Sequence, residues 1–132
     1  RPGVAGLSET ITVRSIIGRF LEHGRIYVFA NGGEFLSDKN MVMISSADLM
    51  PRNLRRRVEC FMGLENPTIR KQVLHQIMVA LLRDEKNAWY LKSDGSYVHP
   101  QTEENSFSCH EYFMSNPSLS GLGSLAAKQD NG

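Results

Sequence analysis

Four arginines, Arg52, Arg55, Arg56 and Arg57, crowd a short stretch behind the string Ser45-Ser46-Ala47-Asp48. Guanidinium forks match phosphate oxygens bidentately, and several in one segment suit a polyanion better than a single carboxylate. Most charge runs are only solvated faces, but Asp48 and Glu59 are too few to neutralise this one. Upstream, His23 precedes Arg25 where an amphipathic pattern stops and an apolar run begins. An imidazole titrates near neutrality, at about 6.5 when unperturbed, so it can act as nucleophile, acid or donor to phosphate. A histidine at a helix end more often caps carbonyls. Ser45, Ser46 and Asp48 can bind phosphate oxygen or orient a histidine, and they can equally form a turn or a helix N-cap.

Other residues compete poorly for such roles. His75 lies inside a helical pattern as a surface or boundary residue, and His99 and His110 fall in or near loops without partners in the pattern. Met62 and Met78 occupy apolar positions as core filler, and Trp89 reads as a packing anchor. Cys60 and Cys109 lack any C-x-x-C spacing, which gives a disulfide framework or zinc site little support and favours a reducing, cytoplasmic setting. The formal net charge is only +1, so anion binding must come from local clustering. No apolar run approaches a bilayer span, and no signal peptide opens the chain.

The elements that must hold these residues follow from periodicity. Val13, Ile16, Ile17, Phe20 and Leu21 predict a short amphipathic helix from Val13 to Glu22. The runs Ile26 to Ala30 and Met41 to Ile44 do not alternate, which predicts strands covered on both faces. Val58, Cys60 and Met62 alternate, predicting a third strand from Arg57 that turns its guanidinium away from Val58. Asn66-Pro67 opens a helix to about Arg83, with Ile69, Val73, Ile77 and Leu81 as its apolar stripe. Trp89 to Leu91 and Tyr97-Val98 flank Ser93-Asp94-Gly95-Ser96 as a hairpin with an Asp-Gly turn. Strands alternating with helices predict an α/β layered domain over residues 1–114, followed by a flexible Ser, Gly, Asn and Ala rich tail over 115–132.

Taken in order, His23-x-Arg25, Asn31-Gly32-Gly33, Ser45-Ser46-Ala47-Asp48 and Arg52-Asn53-Leu54-x-x-Arg57-Val58-Glu59 resemble the C-terminal catalytic domain of the bacterial-type polyphosphate kinase family. Gly18-Arg-Phe-Leu-Glu-His23 and Asp94-Gly-Ser-Tyr97 carry the same resemblance, which covers about Arg1 to Pro100; Phe107 to Met114 corresponds to the family's last helix. It implies the second of two phospholipase D-like domains, a mixed β-sheet flanked by helices. Arg25 stands where the phospholipase D signature has lysine, and Ser45-Ser46-Ala47-Asp48 where it has Gly-Ser-x-Asn, which argues against a phosphodiesterase.

The resemblance further implies reversible transfer of the ATP terminal phosphoryl to inorganic polyphosphate, through a phosphohistidine in the preceding domain. His23 matches the family's assisting active-site histidine. Arg25, Ser45, Ser46, Asp48, Arg52, Asn53 and Arg57 match positions expected to engage ATP or polyphosphate, and Arg55 and Arg56 are weaker matches. Magnesium is implied for the full enzyme, with ligands outside this chain. The implied partners are ATP, polyphosphate and the enzyme's remaining domains, without which the fragment is expected to be inactive. A homo-oligomer and peripheral membrane association are compatible with it. The alternative is a non-catalytic phospholipase D-like module that holds polyanions or nucleic acid, although no aromatic residues interleave with the arginines as a single-strand platform requires.

Overall fold

The computed structural model describes residues 1–116. Most of the expected tail, 117–132, lies outside the described residues. Two compact units are present: Glu22–Ala80, and Arg1–Leu21 together with the described residues from Leu81 onward.

The Glu22–Ala80 unit is built on three antiparallel strands, β2 (Ile26–Phe29), β3 (Met41–Ser45) and β4 (Phe61–Gly63), in the order β2-β3-β4. Ile26 pairs with Ile44, which pairs with Met62, so these three apolar residues share one face. Val42 is buried at the centre, and Leu74, Ala47 and Ala80 are also buried. The strands are not covered on both faces as their continuous apolar runs predict, because Phe29, Met41, Phe61 and Met62 all remain exposed. Met62 is therefore not core filler.

Helix α1 (Pro51–Arg56) follows β3, with proline in its first turn where a missing N–H costs nothing. Arg57 terminates α1 in an extended conformation, and β4 begins only at Phe61. The strand expected from Arg57 is thus shortened, and Val58, expected on a packed face, is fully exposed. Arg57 belongs to the helix end, not to a sheet face.

The long helix beginning at Pro67 is present as expected. Asn66 caps it, its side-chain oxygen accepting from the Thr68 and Ile69 N–H groups at 3.0 and 3.2 Å. It runs as α2 (Pro67–Gln72), a π-helical stretch Val73–Met78, and α3 (Val79–Arg83). The Val79 N–H donates to the Leu74 carbonyl five residues back, which widens the turn. The buried stripe differs from the expected one: Leu74 and Ala80 are buried, whereas Ile69 and Ile77 are exposed. His75 is exposed and Met78 half-buried.

The second unit holds the sheet β1-β5-β6, formed by β1 (Arg14–Ile16), β5 (Ala88–Leu91) and β6 (Tyr97–Val98). The expected helix from Val13 to Glu22 does not form. Arg14, Ser15 and Ile16 instead pair with Tyr90, Trp89 and Ala88, a non-local partner that favours the β-branched residues of this segment. Gly18 then passes so close to its neighbours that a Cβ there would lie 2.5 Å from His110 Nδ1. The β5-β6 hairpin is as expected: Gly95 adopts φ 94°, and Asp94 Oδ1 accepts from the Ser96 N–H at 2.8 Å. Trp89 is half-buried, its ring 5.0 Å from that of His99.

Helix α4 (Cys109–Ser115) closes the described chain, capped by Ser108 Oγ accepting from the Glu111 N–H. His110, expected in or near a loop, lies in this helix, buried, with its ring 5.4 Å from Phe20. Asp84 is fully buried and organises the surrounding backbone. It accepts from the Asn87 N–H at 2.7 Å, the Asn87 side-chain amide at 3.2 Å and the Cys109 N–H at 2.8 Å.

The architecture is α/β, but the single mixed sheet expected is replaced by two small sheets in which every pairing is antiparallel. Among the described residues, no helix is long and apolar enough to cross a membrane.

Candidate functional site

The candidate site residues His23, Arg25, Ser45, Ser46, Asp48, Arg52, Asn53 and Arg57 all lie in the Glu22–Ala80 unit, around the approach to β2, the C-terminal end of β3 and the helix that follows it. The Ser45 N–H donates to the Arg25 carbonyl at 3.0 Å, which sets the segment preceding β2 against the end of β3. Arg25 and Tyr27, two residues apart, project from the same side of the extended chain. Arg25 Nε donates to Asp48 Oδ1 at 2.8 Å, and Tyr27 Oη donates to the Ala47 carbonyl at 2.9 Å. Arg25 Nη1 also donates to the His23 carbonyl at 2.5 Å. His23 itself is exposed.

The two serines do different work. Ser45 Oγ donates to the Cys60 carbonyl at 3.0 Å and accepts from the Ala47 N–H at 2.8 Å, so it ties the turn after β3 to the chain before β4. Ser46 Oγ donates to Glu59 Oε2 at 2.6 Å and accepts from the Cys60 N–H at 3.1 Å. Neither serine forms the N-cap of α1. Its N-cap position is Met50, which makes no side-chain cap bond.

Asp48 is the carboxylate on which the cations converge. Besides Arg25, it has Arg52 Nη2 at 4.0 Å from Oδ2. The Arg25 hydrogen bond, with the positive charges of Arg25 and Arg52, holds the Asp48 carboxyl below the usual carboxylate range against a smaller opposing effect of burial. Reciprocally, Asp48 raises the Arg25 guanidinium above its already high value. Asn53 is buried, so it reads as part of the scaffold beneath the cluster and not as a surface ligand.

The remaining arginines point outward. Arg52 and Arg57 side chains are 70% and 66% exposed, and the Arg57 pair with Glu59 is long at 4.0 Å. Arg55 and Arg56 are exposed on α1. Such loosely engaged guanidinia can exchange a carboxylate at 4.0 Å for a phosphate oxygen at little cost, since exposed pairs of this kind contribute only about 0–1 kcal/mol.

The donor set does not fit magnesium. That ion requires oxygen ligands in near-octahedral geometry. Asp48 is occupied by a guanidinium, and Glu59 accepts from Ser46 with Arg57 alongside. Two further residues belong to the site although their side chains were not singled out. Tyr27 was legible only through its two-residue offset from Arg25, and Glu59 only as the carboxylate inside a basic motif.

The exposed arginines of α1 and its C-terminal end thus lie beside carboxylates and hydroxyls already engaged with Arg25 and with one another. Residues 1–110 match the family described as Polyphosphate kinase C-terminal domain 2. A polyphosphate kinase from Erythrobacter litoralis is 56% identical over 123 residues, covering 93% of this chain and 17% of that protein. One from Synechocystis sp. is 48% identical over 115 residues, covering 86% of this chain and 15% of that protein. The crystal structure of polyphosphate kinase from Porphyromonas gingivalis is similar with a TM-score of 0.71 at 28% identity, covering 95% of this chain and 17% of that one. The chain thus spans about a sixth of the length of the relatives it matches, and it belongs to the polyphosphate kinase C-terminal domain family.

Proposed function

We propose that this chain is the second phospholipase D-like domain of an ATP:polyphosphate phosphotransferase, and that its Glu22–Ala80 unit forms one wall of the phosphoryl-transfer site. In this reading a histidine of the preceding domain takes the terminal phosphoryl from ATP and releases ADP. The terminal oxygen of polyphosphate then takes the phosphoryl from that histidine, and the sequence is reversible. Phosphoryl transfer asks the protein mainly for positioning and for charge stabilisation at the oxygens. Arg52 and Arg57 supply that charge, with Arg55 and Arg56 contributing a more diffuse field. His23, exposed at the approach to β2, donates a hydrogen bond to a phosphate oxygen and assists transfer. Magnesium, bound to the nucleotide phosphates, would be held by residues outside this chain.

The observation that supports this reading is the exposure of the α1 guanidinia beside a carboxylate already committed to Arg25.

The test is polyphosphate synthesis from ATP by the full-length enzyme. Arg52→Ala and Arg57→Ala are expected to lower kcat/KM for polyphosphate by roughly tenfold each, the scale of one charge-assisted contact. Arg83→Ala, which removes a guanidinium stacked 5.3 Å from the Phe107 ring in the other unit, is expected to leave it unchanged. Equal losses in all three would reduce the cluster to an unspecific field. Without the preceding domain, the 132-residue chain is expected to make no polyphosphate, and autophosphorylation of His23 would contradict the assignment.

A further inference from the structure

Among the residues expected to engage substrate, Asp48 is chemically out of place. Its negative charge would repel ATP and polyphosphate, yet it sits at the centre of the cationic cluster. Its contacts explain what it does there. Oδ1 accepts from Arg25 Nε at 2.8 Å, and Oδ2 lies 4.0 Å from Arg52 Nη2. Arg25 in turn donates from Nη1 to the main-chain carbonyl of His23 at 2.5 Å. A continuous path therefore runs from this carboxylate through Arg25 to the backbone that carries His23, and the same carboxylate stands one turn before Arg52.

We infer that Asp48 is a positioning residue: through Arg25 it fixes the main chain at His23 relative to Arg52, and it touches no substrate itself. The inference rests on the functional reading above, which makes His23 and Arg52 the groups whose separation matters. Arg25 becomes the connecting piece, two of its nitrogens occupied by protein acceptors. This also gives a physical reason for arginine at position 25. A guanidinium can donate along two directions at once to a carboxylate and a carbonyl, whereas an ammonium offers a single centre. A low carboxyl pKa at Asp48 keeps the brace ionised throughout the neutral range.

The experiment measures kcat and KM of the full-length enzyme for ATP and polyphosphate in Asp48→Ala, Asp48→Asn, Arg25→Ala and the Asp48→Ala/Arg25→Ala double variant, with thermal melting of each. Asp48→Asn keeps the shape and one acceptor, which guards against a folding defect in the alanine variant. Misplacing a catalytic constellation by about 1 Å can cost up to roughly 10²-fold, so kcat is expected to fall roughly tenfold to a hundredfold in both Asp48 variants. KM is expected to stay unchanged or fall, because a negative charge has left the wall. The double variant should be no slower than the slower single, the signature of two residues acting through one path.

Losses in Asp48→Ala and Arg25→Ala that multiply in the double variant, or a raised KM with intact kcat, would overturn the inference by making Asp48 an independent substrate contact. A loss that tracks the melting temperature would overturn it by making Asp48 merely structural. Arg52→Ala and Arg57→Ala, assayed alongside, separate the two levels. If they are impaired while the Asp48 variants are wild-type, the positioning path falls alone. If they are wild-type, the functional reading falls with it.

Discussion

Asp48 and Asp84 are both carboxylates ringed by donors, one in each unit of the chain, and they are used in opposite ways. Asp84 is fully buried, and the donors to its carboxylate are neutral: the main-chain and side-chain amides of Asn87 and the Cys109 N–H. Asn87 hands the network on to Ser108, the cap of α4, at 3.0 Å. The side chain of Asp48 is 32% exposed, and its principal partners are guanidinia. A ring of fixed amides gives a rigid joint that solvent and substrate cannot enter. A ring of partly exposed cations gives a brace whose outer members remain able to meet an anion. Identical side chains can therefore be told apart by the charge and exposure of what surrounds them.

The comparison breaks most visibly under truncation. Asp84→Ala leaves the buried Cys109 N–H and the part-buried Asn87 N–H without their acceptor, and orphaned buried donors cost about 1–3 kcal/mol each. The full-length enzyme is expected to lose about 3 kcal/mol or more of stability in this region, read as a lowered first transition in thermal melting. Asp48→Ala, whose partners can turn to water, is expected to move that transition little. Equal destabilisation by both would mean that Asp48 is a second structural joint.

A smaller effect sharpens the contrast through pH. Burial pushes the Asp84 carboxyl up, but the donors of Cys109 and Asn87 together outweigh it and hold it below its ordinary range. A carboxyl depressed in the folded state stabilises above its unfolded value, about 3.9, and that contribution is lost as pH falls through the folded value. The melting temperature is therefore expected to fall on acidification below about pH 4, and Asp84→Asn is expected to flatten that fall while lowering the plateau at neutral pH. An unchanged acid limb in the variant would show that other carboxylates control it.

What the sequence disclosed divides along the range of the interactions. Asn66-Pro67 and Asp94-Gly95 specify their helix start and turn through contacts two or three residues away, so both were legible. The segment Val13 to Glu22 was not, because its pairing with Ala88, Trp89 and Tyr90 lies far along the chain and overrides a helical period. The candidate residues stand out in the sequence as a cluster of motifs, whereas their contacts do not: Asp48, grouped with the substrate-binding positions, pairs with Arg25, and Asn53 is buried. Arg57 was expected on a strand and lies at a helix end. Asp84 escaped notice because an acidic residue beside a predicted helix end carries no local sign that it will be buried.

Whether the Glu22–Ala80 unit works on phosphoryl groups or serves as inert scaffold is decided at His23. Its side chain is exposed, so removing it costs little packing, whereas an imidazole assisting at a transferring phosphoryl contributes roughly 10²-fold or more. Polyphosphate synthesis by the full-length His23→Ala enzyme should accordingly fall by about that factor at neutral pH, with the melting curve unchanged. Wild-type rates, or a loss of activity that follows a loss of folded protein, would contradict a role in phosphoryl transfer.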